Sequence, residues 1–194
     1  MKSSCRTTRC VSTAVTLACI ATLLAACGTS TSTVATTSST ATSTTSSTIA
    51  ALAPCPTRSL AATVGISQGA AGSTYTVIVF TNISQTSCTL YGYPGVSLAG
   101  GTPVSQIGLA AAESQSSPRQ LVTLAPGAAG NALLRITDAG NYPTSTCQPA
   151  ATQYLQIYPP NQTTPIYLSY SATACSKPVE TLTIGVVQPG SGSS

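Results

Sequence analysis

The chain contains no histidine, no tryptophan and a single phenylalanine, and it carries only seven Lys or Arg and three Asp or Glu among 194 residues. Without imidazole, the commonest general base and the usual partner of a nucleophilic side chain are missing. The three carboxylates, Glu113, Asp138 and Glu180, are far apart in sequence and each is flanked by neutral residues. Nothing in their spacing pairs two of them for glycoside hydrolysis. Asp138, before Ala139-Gly140-Asn141, suits a turn instead. Lys177 has no Ser-x-x-Lys ahead of it, and Gly127-Ala128-Ala129-Gly130 lacks the Lys-Ser/Thr that completes a phosphate loop. The cysteines include no C-x-x-C pair, which together with the missing histidine argues against a zinc site. These absences point to a protein that is not an enzyme, with no cofactor and no metal.

What is present begins with an address. Lys2, Arg6 and Arg9 form a cationic start, followed by an apolar stretch from Val11 to Ala26 and then Leu24-Ala25-Ala26-Cys27 at its close. The order of cationic, apolar and small residues is that of an export signal, and the last four residues match a bacterial lipobox. Cleavage before Cys27 and lipidation of its sulfur are therefore expected. Ser12, Thr13, Thr16 and Thr22 interrupt the apolar stretch, which falls short of the ~20 residues that span a bilayer. Residues 1–26 are thus read as a lipoprotein signal peptide. Its removal takes three of the seven cations, leaving Arg58, Arg119, Arg135 and Lys177 against three carboxylates. No basic stripe remains for a nucleic acid.

Residues 27–53 are expected to be a disordered tether, because between Thr29 and Thr48 only Val34, Ala35 and Ala41 are not Ser or Thr. A flexible chain of that length reaches roughly 25 Å, enough to hold a domain clear of the headgroups. Residues 54–188 have the size of one domain, and 189–194 read as a flexible tail. Within the domain, segments rich in Val, Ile, Thr and Tyr alternate with Gly, Pro, Asn and Ser clusters. Strands are predicted at Leu60–Ile66, Thr74–Asn82, Thr89–Leu98, Val104–Leu109, Gln120–Leu124, Asn131–Thr137, Gln153–Tyr158, Ile166–Tyr170 and Thr181–Val187. A single helical turn is the weak alternative within Gly108–Ser116. The fold class expected is all-β: an antiparallel immunoglobulin-like β-sandwich with two disulfide-stapled hairpins.

Of the eight cysteines, Cys5, Cys10 and Cys19 leave with the signal and Cys27 takes the lipid, so four remain. In an exported domain these allow three pairings. Hairpin register chooses among them, since partners in an antiparallel ladder share a face. Val64 opposite Val79 and Ile66 opposite Val77, turning at Gly69–Gly72, extend outward to place Cys55 opposite Cys88. Leu155 opposite Leu168 and Ile157 opposite Ile166 extend to within one residue of pairing Cys147 with Cys175. The expected bridges are therefore Cys55–Cys88 and Cys147–Cys175, each worth about 3.5–4 kcal/mol on a chain-entropy estimate.

Two tyrosine sets are candidates for binding. Tyr91 and Tyr93 are expected on one side of an extended segment ahead of Pro94-Gly95. Tyr154, Tyr158 and Tyr167 alternate with Leu155, Ile157, Ile166 and Leu168, so an inward aliphatic set puts the three tyrosines on the outer face of one hairpin. Tyrosine suits protein interfaces and glycan platforms alike, because its ring is amphipathic. Asn82-Ile83-Ser84 and Asn161-Gln162-Thr163 match the N-glycosylation pattern, but the lipobox points to a bacterium and both read as coincidence.

The segments Gly69-Ala70-Ala71-Gly72-Ser73, Phe80-Thr81-Asn82, Cys88-Thr89-Leu90-Tyr91-Gly92-Tyr93-Pro94-Gly95-Val96, Leu121-Val122-Thr123-Leu124-Ala125-Pro126-Gly127, Cys147-Gln148-Pro149 and Leu155-Gln156-Ile157-Tyr158-Pro159-Pro160 resemble the actinobacterial domain-of-unknown-function family numbered 4232. The resemblance covers most of Cys55 to Val187 and implies an exported, often lipidated protein of a mycobacterium or a relative. It supplies no catalytic or binding residues. The function expected is that of a lipid-anchored envelope protein on the extracytoplasmic face of the cell membrane, a non-catalytic interaction module for an envelope protein or glycan. A secreted carboxylate-dependent hydrolase and a passive structural component of the envelope are the alternatives.

Overall fold

The computed structural model describes residues 51–192. Expectations about the signal peptide, the lipidated Cys27 and the tether up to residue 50 lie outside the described residues, as do the last two residues of the tail. Among the described residues, no helix is long and apolar enough to cross a membrane. The described residues form twelve strands: β1 (Leu60–Ala70), β2 (Ser73–Asn82), β3 (Cys88–Tyr91), β4 (Gly95–Gly100), β5 (Ser105–Gln106), β6 (Ala112–Glu113), β7 (Leu121–Leu124), β8 (Ala129–Thr137), β9 (Pro149–Tyr158), β10 (Ile166–Cys175), β11 (Leu182–Ile184) and β12 (Gln188–Pro189). One sheet runs β1-β2-β8-β11-β6, with β12 also paired to β8. A second runs β10-β9-β4-β5, and β3 pairs with β7 alone.

The core lies between the layers. Ile78, Phe80, Ala132 and Leu134 of the first sheet share one cluster with Val96, Leu98, Leu155 and Ile157 of the second and with Leu90 and Leu124 of the β3–β7 pair. This is a β-sandwich, and all-β as expected. Among the strands described, β11 with β6 is the parallel pair, and an isolated bridge of Pro54 to Thr89 is parallel as well. β2 is central, flanked by β1 and β8, and its residues from Thr76 to Phe80 have little exposure. β8 alternates, with Ala132, Leu134 and Ile136 inward and Leu133 and Arg135 exposed.

Several expectations need correction. Val64 pairs with Ile78, not Val79, and Ile66 does not pair with Val77. Gly65 and Ile66 form a bulge before Ser67 pairs with Thr76, so the predicted register holds only on the turn side. A glycine with no side chain to place eases such a bulge. Val64 and Ile66 consequently stand 37% and 47% exposed. At the turn itself Ala71 and Gly72 both have positive φ, 47° and 69°, as a two-residue hairpin turn of the primed kind requires. Thr89–Leu98 is two strands in two sheets, broken at Gly92-Tyr93-Pro94. Gly108–Ser116 holds β6, and the helical turn forms instead at Thr144–Cys147. The strands predicted at Val104–Leu109 and Thr181–Val187 shorten to β5 and β11.

Both disulfides form as expected, Cys55–Cys88 and Cys147–Cys175. The route to each differs from simple ladder extension. Cys55 lies beside β3 in a parallel bridge, where its amide donates to the Thr89 carbonyl (2.9 Å) and the Thr89 amide donates to Ala53 (3.0 Å). In the second hairpin the predicted pairs Leu155–Leu168 and Ile157–Ile166 are present. A bulge after Ser169 then sets Cys175 opposite Pro149. The Thr144–Cys147 turn and left-handed Gln148 (φ 46°) carry Cys147 back to its partner. Beyond Gln188, Pro189 pairs with Gly130, and the Asn131 side-chain amide donates to the carbonyls of Pro189 and Gly190 at 3.2 and 3.0 Å.

Candidate functional site

Alternation in β9 and β10 builds the first part of the site. Leu155 and Ile157 are fully buried, so residues 154, 156 and 158 point the other way. Register then places Tyr167 opposite Gln156 and Ser169 opposite Tyr154. Tyr154 and Tyr167 meet edge to face with ring centroids 6.4 Å apart, the arrangement the ring quadrupole favours. The Gln156 amide nitrogen donates to the Tyr158 hydroxyl at 2.8 Å and to the Tyr167 hydroxyl at 3.2 Å. The three tyrosines expected on one outer face are there. Gln156 was not foreseen, although its place two residues from each of Tyr154 and Tyr158 was a sufficient sign.

Tyr158 also rests on β4. It pairs with Gly95, where an added Cβ would sit 3.5 Å from the Tyr158 Cβ and 3.6 Å from its ring Cδ2. The Gly95 backbone is thus the floor on which that ring lies. Three residues after Tyr158, Asn161 in the β9–β10 turn (φ 59°) lines a cleft of about 190 Å³ with Tyr91, Gly92, Tyr93, Glu113 and Arg119. The two tyrosine sets therefore adjoin.

In that cleft the expectation that Tyr91 and Tyr93 share one side of an extended segment fails, since Gly92 (φ 93°) turns the chain between sheets. Tyr91 stays with β3 opposite Leu121, and the two are 49% and 64% exposed. Tyr93 is half-buried, and its hydroxyl donates to the Ser114 carbonyl at 2.9 Å. The Arg119 guanidinium lies 5.0 Å from the Tyr93 ring centroid, a cation–π contact, and donates to the Glu113 carboxylate at 2.8 Å. Arg119 is half-exposed, and its pKa is raised chiefly by the hydrogen bond to Glu113 and then by that carboxylate's charge. Arg119, Glu113 and Asn161 were missed in sequence because β6, the β7 lead-in and the β9–β10 turn converge only through the fold.

The remaining candidates are structural. The Asp138 carboxylate accepts from the Gly140 amide at 2.9 Å and caps a turn. Asn82 is fully buried with its amide engaged, which agrees with reading its glycosylation pattern as coincidence. No group of three or more His, Cys, Asp or Glu that could hold a metal exists among the described residues. The arrangement offers aromatic faces, fixed hydroxyls and one exposed ion pair, which are means of contact.

No curated protein and no solved structure matches the chain. The family model described as domain of unknown function DUF4232 matches residues 55–188, more than half of the chain and nearly the whole sandwich. The segments that carry the resemblance in sequence fall on the β1–β2 turn, the end of β2, the β3–β4 joint, β7 and the two ends of β9, and the chain belongs to the DUF4232 family.

Proposed function

We propose that the protein is a lipid-anchored, non-catalytic interaction module, held at the extracytoplasmic face of the cell membrane by lipid on Cys27 and by the Ser/Thr tether. Its partner is an envelope protein or glycan. The observation that supports a contact role best is the tyrosine face of β9–β10, where Gln156 fixes two hydroxyls and Tyr167 remains 45% exposed. Rings held in place cost little ordering entropy on binding and offer both stacking and hydrogen bonds. A carboxylate-dependent hydrolase needs two acids facing one bond. Glu113 is tied to Arg119 and Asp138 to its turn, which favours binding over catalysis.

The test is affinity capture from detergent-solubilised envelope with the oxidised mature chain. Tyr154→Ala with Tyr167→Ala abolishes capture while the melting temperature holds, because both side chains lie on the outer face. Capture that persists in the double variant overturns this face as the contact surface. Mass spectrometry of the membrane-extracted protein tests the anchor, and an unmodified Cys27 refutes it.

A further inference from the structure

The outer face of the other sheet carries a groove that the tyrosine face does not involve. Register puts Gln68 beside Tyr75 on β1–β2, and Val77 beside Leu133 and Tyr75 beside Arg135 on β2–β8. Ile66 is brought to this side by the bulge, 47% exposed, and Leu133 is 48% exposed. Two clefts meet here. One of about 330 Å³ is lined by Ile66, Gln68, Tyr75, Val77 and Leu133, together with Gly192. The other, of about 360 Å³, is lined by Tyr75, Leu133, Arg135 and Thr183 with Ser114 and Ser116. Tyr75 and Leu133 line both, so the two clefts adjoin across these side chains and together make a groove that is apolar at the β1 end and hydroxyl-rich at the β6 end.

The cation at the junction is held ready. The Arg135 Nε donates to the Ser73 hydroxyl at 3.1 Å, and its guanidinium lies 6.0 Å from the Tyr75 ring centroid. These contacts orient the side chain and leave its terminal nitrogens for a ligand. The only ion pair among the described residues is Arg119–Glu113, so Arg135 has no carboxylate partner there. An oriented guanidinium beside apolar walls is complementary to an anion that carries an apolar chain.

We propose that this groove binds a single-chain anionic amphiphile, with its charged head on Arg135 and its chain over Leu133, Tyr75, Val77 and Ile66. The site is separate from the tyrosine face, and its failure would leave the proposed interaction role untouched. The experiment titrates the full mature chain with decyl phosphate below its micelle concentration, followed by calorimetry, with decanol as the uncharged probe. Saturable one-to-one binding is expected, weakened at least tenfold by Arg135→Gln and about fivefold by Leu133→Ser, and unchanged by Tyr167→Ala. Decanol binds at least tenfold more weakly than decyl phosphate. Arg135 and Leu133 are both exposed, so the variants keep the fold, and a thermal melt checks that. Equal affinity in Arg135→Gln, equal binding of decanol, or no saturable binding to the native chain each overturns the proposal.

Discussion

Asn82 is the residue whose loss the structure costs most directly. It is fully buried at the end of β2, where the chain leaves the first sheet towards β3. Its amide nitrogen donates to the carbonyls of Leu124 (2.9 Å) and Thr86 (2.8 Å), and its side-chain oxygen accepts from the amide and hydroxyl of Ser84 at 3.0 and 2.7 Å. Asn82→Ala removes all four bonds. The bond to Leu124 is fully buried, and orphaning that carbonyl costs about 1–3 kcal/mol; the three nearer the surface, where water substitutes, cost about 0.5 kcal/mol each. The total is about 2.5–4.5 kcal/mol, a large part of the 5–15 kcal/mol typical of a domain. For roughly 140 folded residues that lowers the melting temperature by about 9–15 °C. Urea unfolding of the oxidised chain, followed by circular dichroism, measures the loss. Ser84→Ala alone costs under about 1 kcal/mol, and the double variant little more than Asn82→Ala, because the two share one network. A loss below about 1 kcal/mol in Asn82→Ala would refute the reasoning.

Replacing Cys55 and Cys88 together by Ser is expected to cost about 3–4 kcal/mol in the same urea assay, on the chain-entropy estimate; an unchanged midpoint contradicts it. Gln148→Gly stabilises by about 0.5 kcal/mol, since a left-handed non-glycine costs about 1–2 kcal/mol and the added freedom of the unfolded chain returns part of that. A lower melting temperature in that variant would show that the left-handed turn is not what governs the position. Tyr91→Ala leaves the melting temperature within about 2 °C of the parent, since the ring is 49% exposed; a larger drop would make Tyr91 a structural residue.

Strand identity was legible because it rests on period-two alternation, and the disulfide partners because each pair lies near the open end of one hairpin, although neither ladder itself pairs the cysteines. Leu155 and Ile157 against Tyr154 and Tyr158 is the plainest case, and the β9–β10 register near the turn followed from it. The bulges were not legible. At Gly65–Ile66 the alternation of apolar residues continues unbroken in sequence while the pairing slips by one. The sequence pattern records which residues are apolar, whereas the slip depends on the twist of β1 against β2. The Arg119–Glu113 pair and the groove around Tyr75 were hidden for a different reason. The pair spans only six residues, but it closes across the irregular stretch between β6 and β7, where no strand period applies; the groove joins β2 to β8, whose adjacency is set by sheet order.

The break at Gly92-Tyr93-Pro94 shows how a structural demand shapes the candidate site. Pro94 has no N–H to give a ladder, and Gly92 holds a φ of 93° that a side chain disfavours. The Gly92 carbonyl accepts from the Val187 amide at 2.9 Å, which pins the crossover. The chain therefore leaves β3 and enters β4 in the other sheet, and Gly95 supplies the floor for Tyr158. Gly92, Pro94 and Gly95 are thus accounted for by the joint between layers. Tyr93 is accounted for by Ser114 and Arg119. Tyr91 is not: it is half-exposed and its hydroxyl has no hydrogen-bond partner among the described residues, so packing gives no reason for an aromatic ring there. It lies on the rim of the Arg119–Glu113 cleft with Asn161, where the proposed contact role would use it.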